Sequence, residues 1–379
     1  MTKIAPRQLA EAMSKLSQTI EGRTPNPILG FVRLVADGDK LELIATDLDI
    51  RLTTTVPCVG SFSAICVDAS RLTAALGRIK DRAEAELIPV EGNAPVLRVK
   101  SGRSEFNLPT LPADGFPHLF PPTNVVSFTV PGAVFRSILA AHQASVSHEE
   151  TRYYLNGVAM QMGDINSSSA AQSLVFVSTD GHKGLARHMT VDDLPPELAP
   201  IIIPNKTTAV IAKIFDKAEF LGMEVDKDRI RVTGGGMEMI SKLVDGTFPD
   251  WRRVMPRRDP TLSYDAKGLA SSIETAGAVT GALAKQGKPV RMVFGEEETE
   301  LTTRDLENPN FTGSDVCQHE LLDRLEVTEI GANYKYMVEM INALDTDIVQ
   351  VGLAGTNGPI TLTSGSHADR RAVVMPMRV

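Results

Sequence analysis

The sequence predicts an α+β chain built from three similar domains, and two observations predict it. A short strand followed by an amphipathic helix occurs six times, and corresponding elements recur at nearly constant intervals. Thr46-Asp47 and Thr179-Asp180 lie 133 positions apart, Val67 and Ile203 lie 136 apart, and Ile203 and Ile330 lie 127 apart. Three domains at 1–125, 126–256 and 257–379, each of two strand–helix–strand repeats, account for all 379 residues. A chain of that length is also too long for one ordinary core. Three unrelated α+β domains would rarely align six such openings at this spacing.

The six openings follow in order. Ile4-Ala5-Pro6 precedes a helix with Leu9, Met13, Leu16 and Ile20 on one face; Ile65 to Asp68 precedes Leu72, Leu76 and Ile79. Phe128 to Pro131 precedes Phe135, Ile138 and Leu139; Ile201 to Pro204 precedes Val210, Ile211, Ile214 and Phe215. Leu262-Ser263-Tyr264 precedes Leu269 and Ile273; Glu329-Ile330-Gly331 precedes Met337, Ile341 and Leu344. Apolar residues three and four apart give each helix one buried stripe. Pro6 and Pro131 stand near helix starts, where a missing N–H costs least. Between helices the pattern changes to short β runs, such as Arg33-Leu34-Val35, Leu41 to Ala45, Val175 to Ser178, Ile348 to Val351 and Ile360 to Leu362. Asp37-Gly38, Gly234-Gly235-Gly236 and Asn357-Gly358 read as hairpin turns.

Composition narrows the function classes. Hydrophobic residues make up 42% of the chain, yet the longest apolar runs are only a few residues, far short of the ~20 that span a bilayer. The start, Met1 to Pro6, has no apolar signal core, so no membrane partner or leader is expected, and the expected location is the cytoplasm. Cys58, Cys66 and Cys317 are odd in number and lack a C-x-x-C spacing, which fits reduced thiols and argues against a disulfide framework or a zinc site.

Candidate chemistry is sparse. Asp180-Gly181-His182 could belong to an acid–base or metal site, but the seven histidines show no H-x-H or H-E-x-x-H pattern, so a structural turn is expected. Gly281 to Pro289 resembles a phosphate loop with one residue too many between glycines, and Pro289 stands where Ser or Thr must hold magnesium. Glu296-Glu297-Glu298 reads as a solvated edge or part of an interface. No nucleophile–base pair with an orienting third group stands out. The expectation is a binding protein with no catalytic residue, metal or cofactor. A nuclease using Asp47, Glu150 and Asp180 to hold magnesium is the enzymatic alternative.

Several stretches along the whole chain resemble the bacterial DNA sliding clamps, the beta subunits of DNA polymerase III. They are Asn26 to Gly30, Ala45 to Asp49, Leu108 to Ala113, Arg152 to Gly157, Ser178 to His182, Ser241 to Gly246, Phe248 to Asp250 and Val373 to Val379. Their order is a stronger signal than any one of them. The resemblance implies the DNA clamp fold: three domains per chain and two chains closed head to tail into a ring-shaped homodimer with helices lining the hole. It implies sequence-independent encirclement of double-stranded DNA. The implied partners are the replicative polymerase alpha subunit, the clamp loader, and other polymerases and repair proteins carrying clamp-binding peptides. A scaffold of the same fold that no longer closes on DNA is the alternative within the family.

By motif match the resemblance assigns a partner peptide pocket to Leu155, Thr179, Gly181, His182, Pro249, Arg253, Val254, Val373, Val374, Met375, Pro376, Met377 and Arg378. Val373 to Met377 also reads as a final strand. The family has a basic residue and then leucine after Asp-Gly-His, whereas this chain has Lys183-Gly184-Leu185. Either Gly184 replaces the pocket leucine, or one residue is inserted and Leu185 takes its place. DNA contacts are carried over to Arg23, Arg78, Arg152, Tyr153 and Tyr154, with Glu149 standing where some relatives have a neutral residue. The dimer seam is assigned to Arg103, Phe106 and Leu108 against Ala278 and Val279.

Charge placement fits this independently. The expected helices (7–20, 69–79, 132–145, 205–217, 266–280, 333–344) hold ten basic and four acidic residues. Their net +6 leaves −14 for the remainder of a chain whose total is −8. Positive helices in a negative chain draw phosphates to one surface and repel them from the other.

Overall fold

The computed structural model describes the chain apart from residues 23, 167–171, 193, 254, 279–288, 306–309 and 379. The first third runs β1 (Thr2–Ile4), α1 (Pro6–Leu16), β2 (Phe31–Asp37), β3 (Lys40–Thr46), β4 (Ile50–Val59), β5 (Phe62–Asp68), α2 (Ala69–Ile79), β6 (Ala85–Val90), β7 (Val96–Ser101) and β8 (Ser104–Pro112). The middle continues β9 (Val126–Pro131), α3 (Gly132–His142), β10 (Gly157–Met162), β11 (Ser173–Thr179), β12 (Lys183–Thr190), β13 (Ile201–Pro204), α4 (Asn205–Ile214), β14 (Phe220–Val225), β15 (Arg229–Gly234) and β16 (Met237–Lys242). Then come β17 (Leu262–Asp265), α5 (Ala266–Gly277), β18 (Pro289–Phe294), β19 (Glu298–Arg304), β20 (Thr312–Gln318) and β21 (Glu320–Leu321). The chain finishes with β22 (Glu329–Asn333), α6 (Tyr334–Ala343), β23 (Ile348–Leu353), β24 (Ile360–Ser364) and β25 (Arg370–Val374).

All six expected strand–helix openings are present. Capping explains several of the starts: Asp68 accepts from the Arg71 N–H at 2.9 Å, Asp265 from the Gly268 N–H at 2.6 Å, and Asn333 from the Lys335 N–H at 3.1 Å. Most helices stop short of the expected ends. α1 closes at Leu16, and Thr19 donates its hydroxyl to the Leu16 carbonyl beyond it. Gly235 and Gly236 take φ of +55° and +76°, as the tight β15–β16 turn requires.

The strands form two compact units. One comprises Met1–Arg136 with Val210–Leu243, the other Ser137–Ala209 with Val244–Val379. The first holds a twelve-stranded sheet, β1-β6-β7-β8-β5-β2-β3-β4-β16-β15-β14-β9. The second holds a nine-stranded sheet, β13-β10-β11-β12-β25-β24-β23-β17-β21, and a four-stranded one, β20-β19-β18-β22. The middle third is divided between the units because backbone ladders join it to both neighbours. β4 pairs with β16 from Ile50↔Ser241 to Thr54↔Met237, and β12 pairs with β25 from Lys183↔Val374 to Arg187↔Arg370. The two junctions also end alike. The Lys242 N–H donates to the Asp49 carbonyl at 2.9 Å, and the Met375 N–H donates to the His182 carbonyl at 2.8 Å.

Each helix buries its apolar stripe, including Leu9, Met13 and Leu16 in α1, Leu72 and Leu76 in α2, Leu269 and Ile273 in α5, and Met337 and Ile341 in α6. Side chains of this size contribute roughly 1.5–3 kcal/mol each when fully buried. The three cysteines are buried and unbridged, and burial pushes the Cys66 thiol up to about 11. The phosphate-loop resemblance at Gly281 to Pro289 lies almost wholly outside the described residues.

Candidate partner cleft, cationic helices and sheet edges

The candidate partner cleft lies on one row of the nine-stranded sheet. Thr179 of β11 pairs with Gly184 of β12, and Gly184 pairs with Val373 of β25. Directly paired residues share a sheet face. Trp251 and Met255 cover this face, packing on Val175, Val177, Ala186 and Val373, with Phe248 beside them. The period of two puts residues 184 and 185 on opposite faces. Gly184 stands on the cleft face, whereas Leu185 is fully buried on the other face among Met337, Tyr264 and Val349. Val374 pairs with Lys183 and joins Leu185 in that core, so its side chain is closed to a peptide lying on Val373.

Beyond the strand ends lie His182 and Met375, the latter 39% exposed. The tail is pinned as it leaves the sheet: Pro376 bridges to Ala332, and the Met377 N–H donates to the Gly331 carbonyl at 2.8 Å. Met375, Pro376, Met377 and Arg378 line a cavity of about 490 Å³ with Ile330 and Asn357. Leu155 is buried at the end of a 3-10 turn (Glu150–Leu155), and Pro249 and Arg253 are exposed at and beside the turn at Trp251–Arg253. Val254 lies outside the described residues.

Asp180 is a turn builder. Its carboxylate accepts from the His182 and Lys183 N–H groups at 2.8 and 2.9 Å. Gly181 has φ +91°, a backbone conformation that side chains with a Cβ rarely adopt, so the turn favours glycine there. Among the described residues no cluster of three or more metal-ligating side chains is placed to hold an ion.

Sequence reasoning missed the groups behind this turn. Lys183 is nearly buried, forms an ion pair with Glu339 of α6, and sits 4.7 Å from the Tyr336 ring centroid. His182 stacks on the same ring, 6.2 Å between centroids. A second buried network joins His142 Nδ1 to Ser178 Oγ at 2.6 Å and Ser145 Oγ to Ser178 Oγ at 2.6 Å. Burial, and secondly the Arg187 charge, push His142 down to about 3, so it is neutral. A lone histidine at a helix end carried no motif that could have revealed this.

The helix cations are displayed outward. Arg7, Arg71, Arg78, Lys206, Lys213, Lys267 and Lys335 are exposed, as is Lys217 in the turn after α4, while Lys15 and Arg136 are partly buried. Lys15 pairs with Asp216 at 2.8 Å, and this hydrogen bond holds the Asp216 carboxyl below the usual range. Arg152 is less available than the motif implied. It grips Glu149 through two bonds of 2.8 and 2.7 Å and donates to the Asp180 carbonyl at 3.2 Å. The Arg152 hydrogen bond depresses Glu149 and so keeps the neutralising carboxylate charged. Tyr153 is exposed, edge-on to Tyr154 at 5.8 Å. Arg23 lies outside the described residues.

Two sheet edges complete the candidate surfaces. β8 pairs with β7 along Ser104 to Pro109 but meets β5 only from Thr110 onward, leaving its first half without a second strand among the described residues. Arg103 is exposed there, Phe106 half-buried and Leu108 buried. In the second unit β20 is the edge of its sheet and packs on α5. Exposed Ala278 follows that helix; Val279 lies outside the described residues. Phe311 and Val316, at and beside this edge, are exposed.

Repeated sheet-and-helix units, cations exposed on the helices and an apolar sheet row that runs into the C-terminal tail define a clamp-type binding protein. Models of the N-terminal, central and C-terminal domains of the DNA polymerase III beta subunit match residues 2–120, 129–250 and 252–378. The chain belongs to this family, the beta sliding clamps. It is 30% identical over 382 residues to the beta sliding clamp of Escherichia coli (strain K12), covering 98% of each chain. Among solved structures, a C. crescentus beta sliding clamp superimposes with a TM-score of 0.91 at 26% identity, covering 100% of this chain and 98% of that one. A Bartonella birtlesii clamp bound to griselimycin gives 0.90 at 26% identity, with 100% of both chains covered.

Proposed function

We propose that this chain is a DNA sliding clamp that works as a closed head-to-tail dimer of three-domain subunits (1–125, 126–256, 257–379). The ring surrounds duplex DNA, and each cleft holds a peptide of the polymerase, the loader or another DNA-processing protein. The observation that carries the reading is the exposure of cations on α1, α2, α4, α5 and α6 in a chain of net charge −8. Such a surface attracts phosphates without reading bases, so binding is independent of sequence. The half-open strand β8 and the edge strand β20 supply complementary edges for a head-to-tail seam, and pairing them removes edges that otherwise invite aggregation. The role is one of tethering, with no catalytic step and no cofactor. Among the described residues no helix is long and apolar enough to cross a membrane.

The test separates topology from affinity. After a loader places it on nicked circular DNA, the clamp should remain through a salt increase and leave when the circle is cut. Ordinary electrostatic binding falls steeply with salt. Retention that declines identically on circular and linear DNA as salt rises would falsify the ring.

A further inference from the structure

We infer that Met255 is a movable floor of the partner cleft, its terminal methyl filling the space of the side chain that Gly184 lacks until an apolar anchor of a docking peptide displaces it. The inference rests on the partner-cleft reading. Gly184 is the centre of the row Thr179–Gly184–Val373, and a Cβ built on it would overlap Met255 Cε. Thr179 Cβ lies 3.4 Å from the same point, so the methionine methyl sits between the strand row and its cover. Met255 is only 1% exposed and packs with Trp251 and Val373.

Its backbone is held by hydrogen bonds, whereas its side chain is held by apolar packing alone. The Met255 N–H donates to the Trp251 carbonyl at 2.9 Å, and the Met255 carbonyl accepts from Arg371 Nη1 at 3.4 Å. Three rotatable bonds allow the thioether to move its methyl away with no backbone shift, and polarizable sulfur packs adaptably against new apolar neighbours. A branched side chain on β12 could not retract in this way. The ligand chemistry follows: a peptide anchor of leucine or phenylalanine size takes the vacated space, and an alanine leaves Met255 where it is. Glycine at 184 and methionine at 255 therefore form one specificity-determining pair.

The pair can be tested with [methyl-¹³C]methionine-labelled full-length protein, the Met255 signal being identified by its loss in Met255→Leu. Labelled hexapeptides with two leucine anchors, and the same peptides with one anchor changed to phenylalanine or alanine, serve as probes. The Met255 signal should shift with the leucine and phenylalanine peptides and not with the alanine one, while the signal of Met13, buried in the other unit, stays fixed. Met255→Ala should tighten the phenylalanine peptide about tenfold, a difference of roughly 1.4 kcal/mol. Gly184→Leu should weaken binding, and Gly184→Leu with Met255→Ala should recover it, with folding checked by melting. A Met255 signal unmoved at saturating peptide, or unchanged affinity in folded Met255→Ala, overturns the inference while leaving the cleft standing. If the wild-type protein takes up none of these peptides, the cleft reading itself fails and this inference goes with it.

Discussion

Removing Met375–Val379 is the most informative single perturbation of the cleft. It deletes two backbone hydrogen bonds, from the Met375 N–H to His182 and from the Met377 N–H to Gly331, each 2.8 Å. At about 1 kcal/mol net apiece, the fold should lose roughly 2 kcal/mol and melt several degrees lower. β25 stays in register with β12 and β24 through Val374, so the sheet should survive. The binding loss should be larger relative to what is available. Two apolar anchors contribute roughly 3–6 kcal/mol of the ~8 that a micromolar complex needs. Losing the wall formed by Met375 should remove about half of the anchor contribution, 1.5–3 kcal/mol, or roughly 10- to 150-fold in affinity. Titration of a fluorescent clamp-binding peptide by anisotropy measures this, with size in solution determined in parallel. β8 and β20 are untouched, so the truncated protein should remain a dimer near twice 40.9 kDa. Unchanged affinity in a truncated dimer would refute the cleft assignment.

Three other perturbations address separate surfaces. Phe106→Ala with Leu108→Ala should shift the dimer toward monomer at micromolar concentration; size measurements that stay at the dimer would remove β8 from the seam. Alanine at Arg23, Arg78 and Arg152 together should weaken DNA loading, with each surface change costing stability within about 0.5 kcal/mol. Glu149→Gln should strengthen loading by releasing Arg152 from its carboxylate, and a loading rate indifferent to both variants would take these arginines out of DNA binding. His142 has a folded pKa of about 3 against an ordinary 6.5, so the unfolded chain binds its proton first as pH falls. Its contribution is complete above pH 6.5 and is lost as pH drops toward 3, about 2 kcal/mol between pH 7 and 5. Urea unfolding at those two pH values should show this difference shrink in His142→Leu; an identical pH dependence in the variant would contradict a buried neutral imidazole.

Much of the fold was legible because its signals are local. The apolar spacing of Leu72, Leu76 and Ile79, opened by Asp68, marks α2 without reference to anything distant. Helix ends were less legible: Ile20 continues the apolar period past the point where α1 has already turned, with no glycine to mark the stop. The junction ladders β4–β16 and β12–β25 were invisible, because an edge strand's partner is chosen by tertiary packing and not by its own pattern. The cleft divides in the same way. Thr179, Gly181, His182, Val373 and Met375 could be named from motifs, whereas the faces of Gly184, Leu185 and Val374 depended on register. Met255 lies outside every motif, and its place against Gly184 follows only from three-dimensional packing.

The two junction ladders also constrain how the chain can be made. Ile50 pairs with Ser241 and Lys183 with Val374, in each case 191 positions later. A nascent chain emerging from the ribosome therefore exposes β4 as a raw edge until β16 has been synthesised, and β12 until β25 has followed. Each of these strands therefore keeps one edge unpaired until a partner from far along the chain arrives, and such non-local pairing is slow to form. During this interval the unpaired strands are open to pairing with other nascent chains, especially where several ribosomes share one message. Slow translation after residue 59 would lengthen the first exposure, and a chaperone that shields β-edges would be most useful between residues 190 and 370.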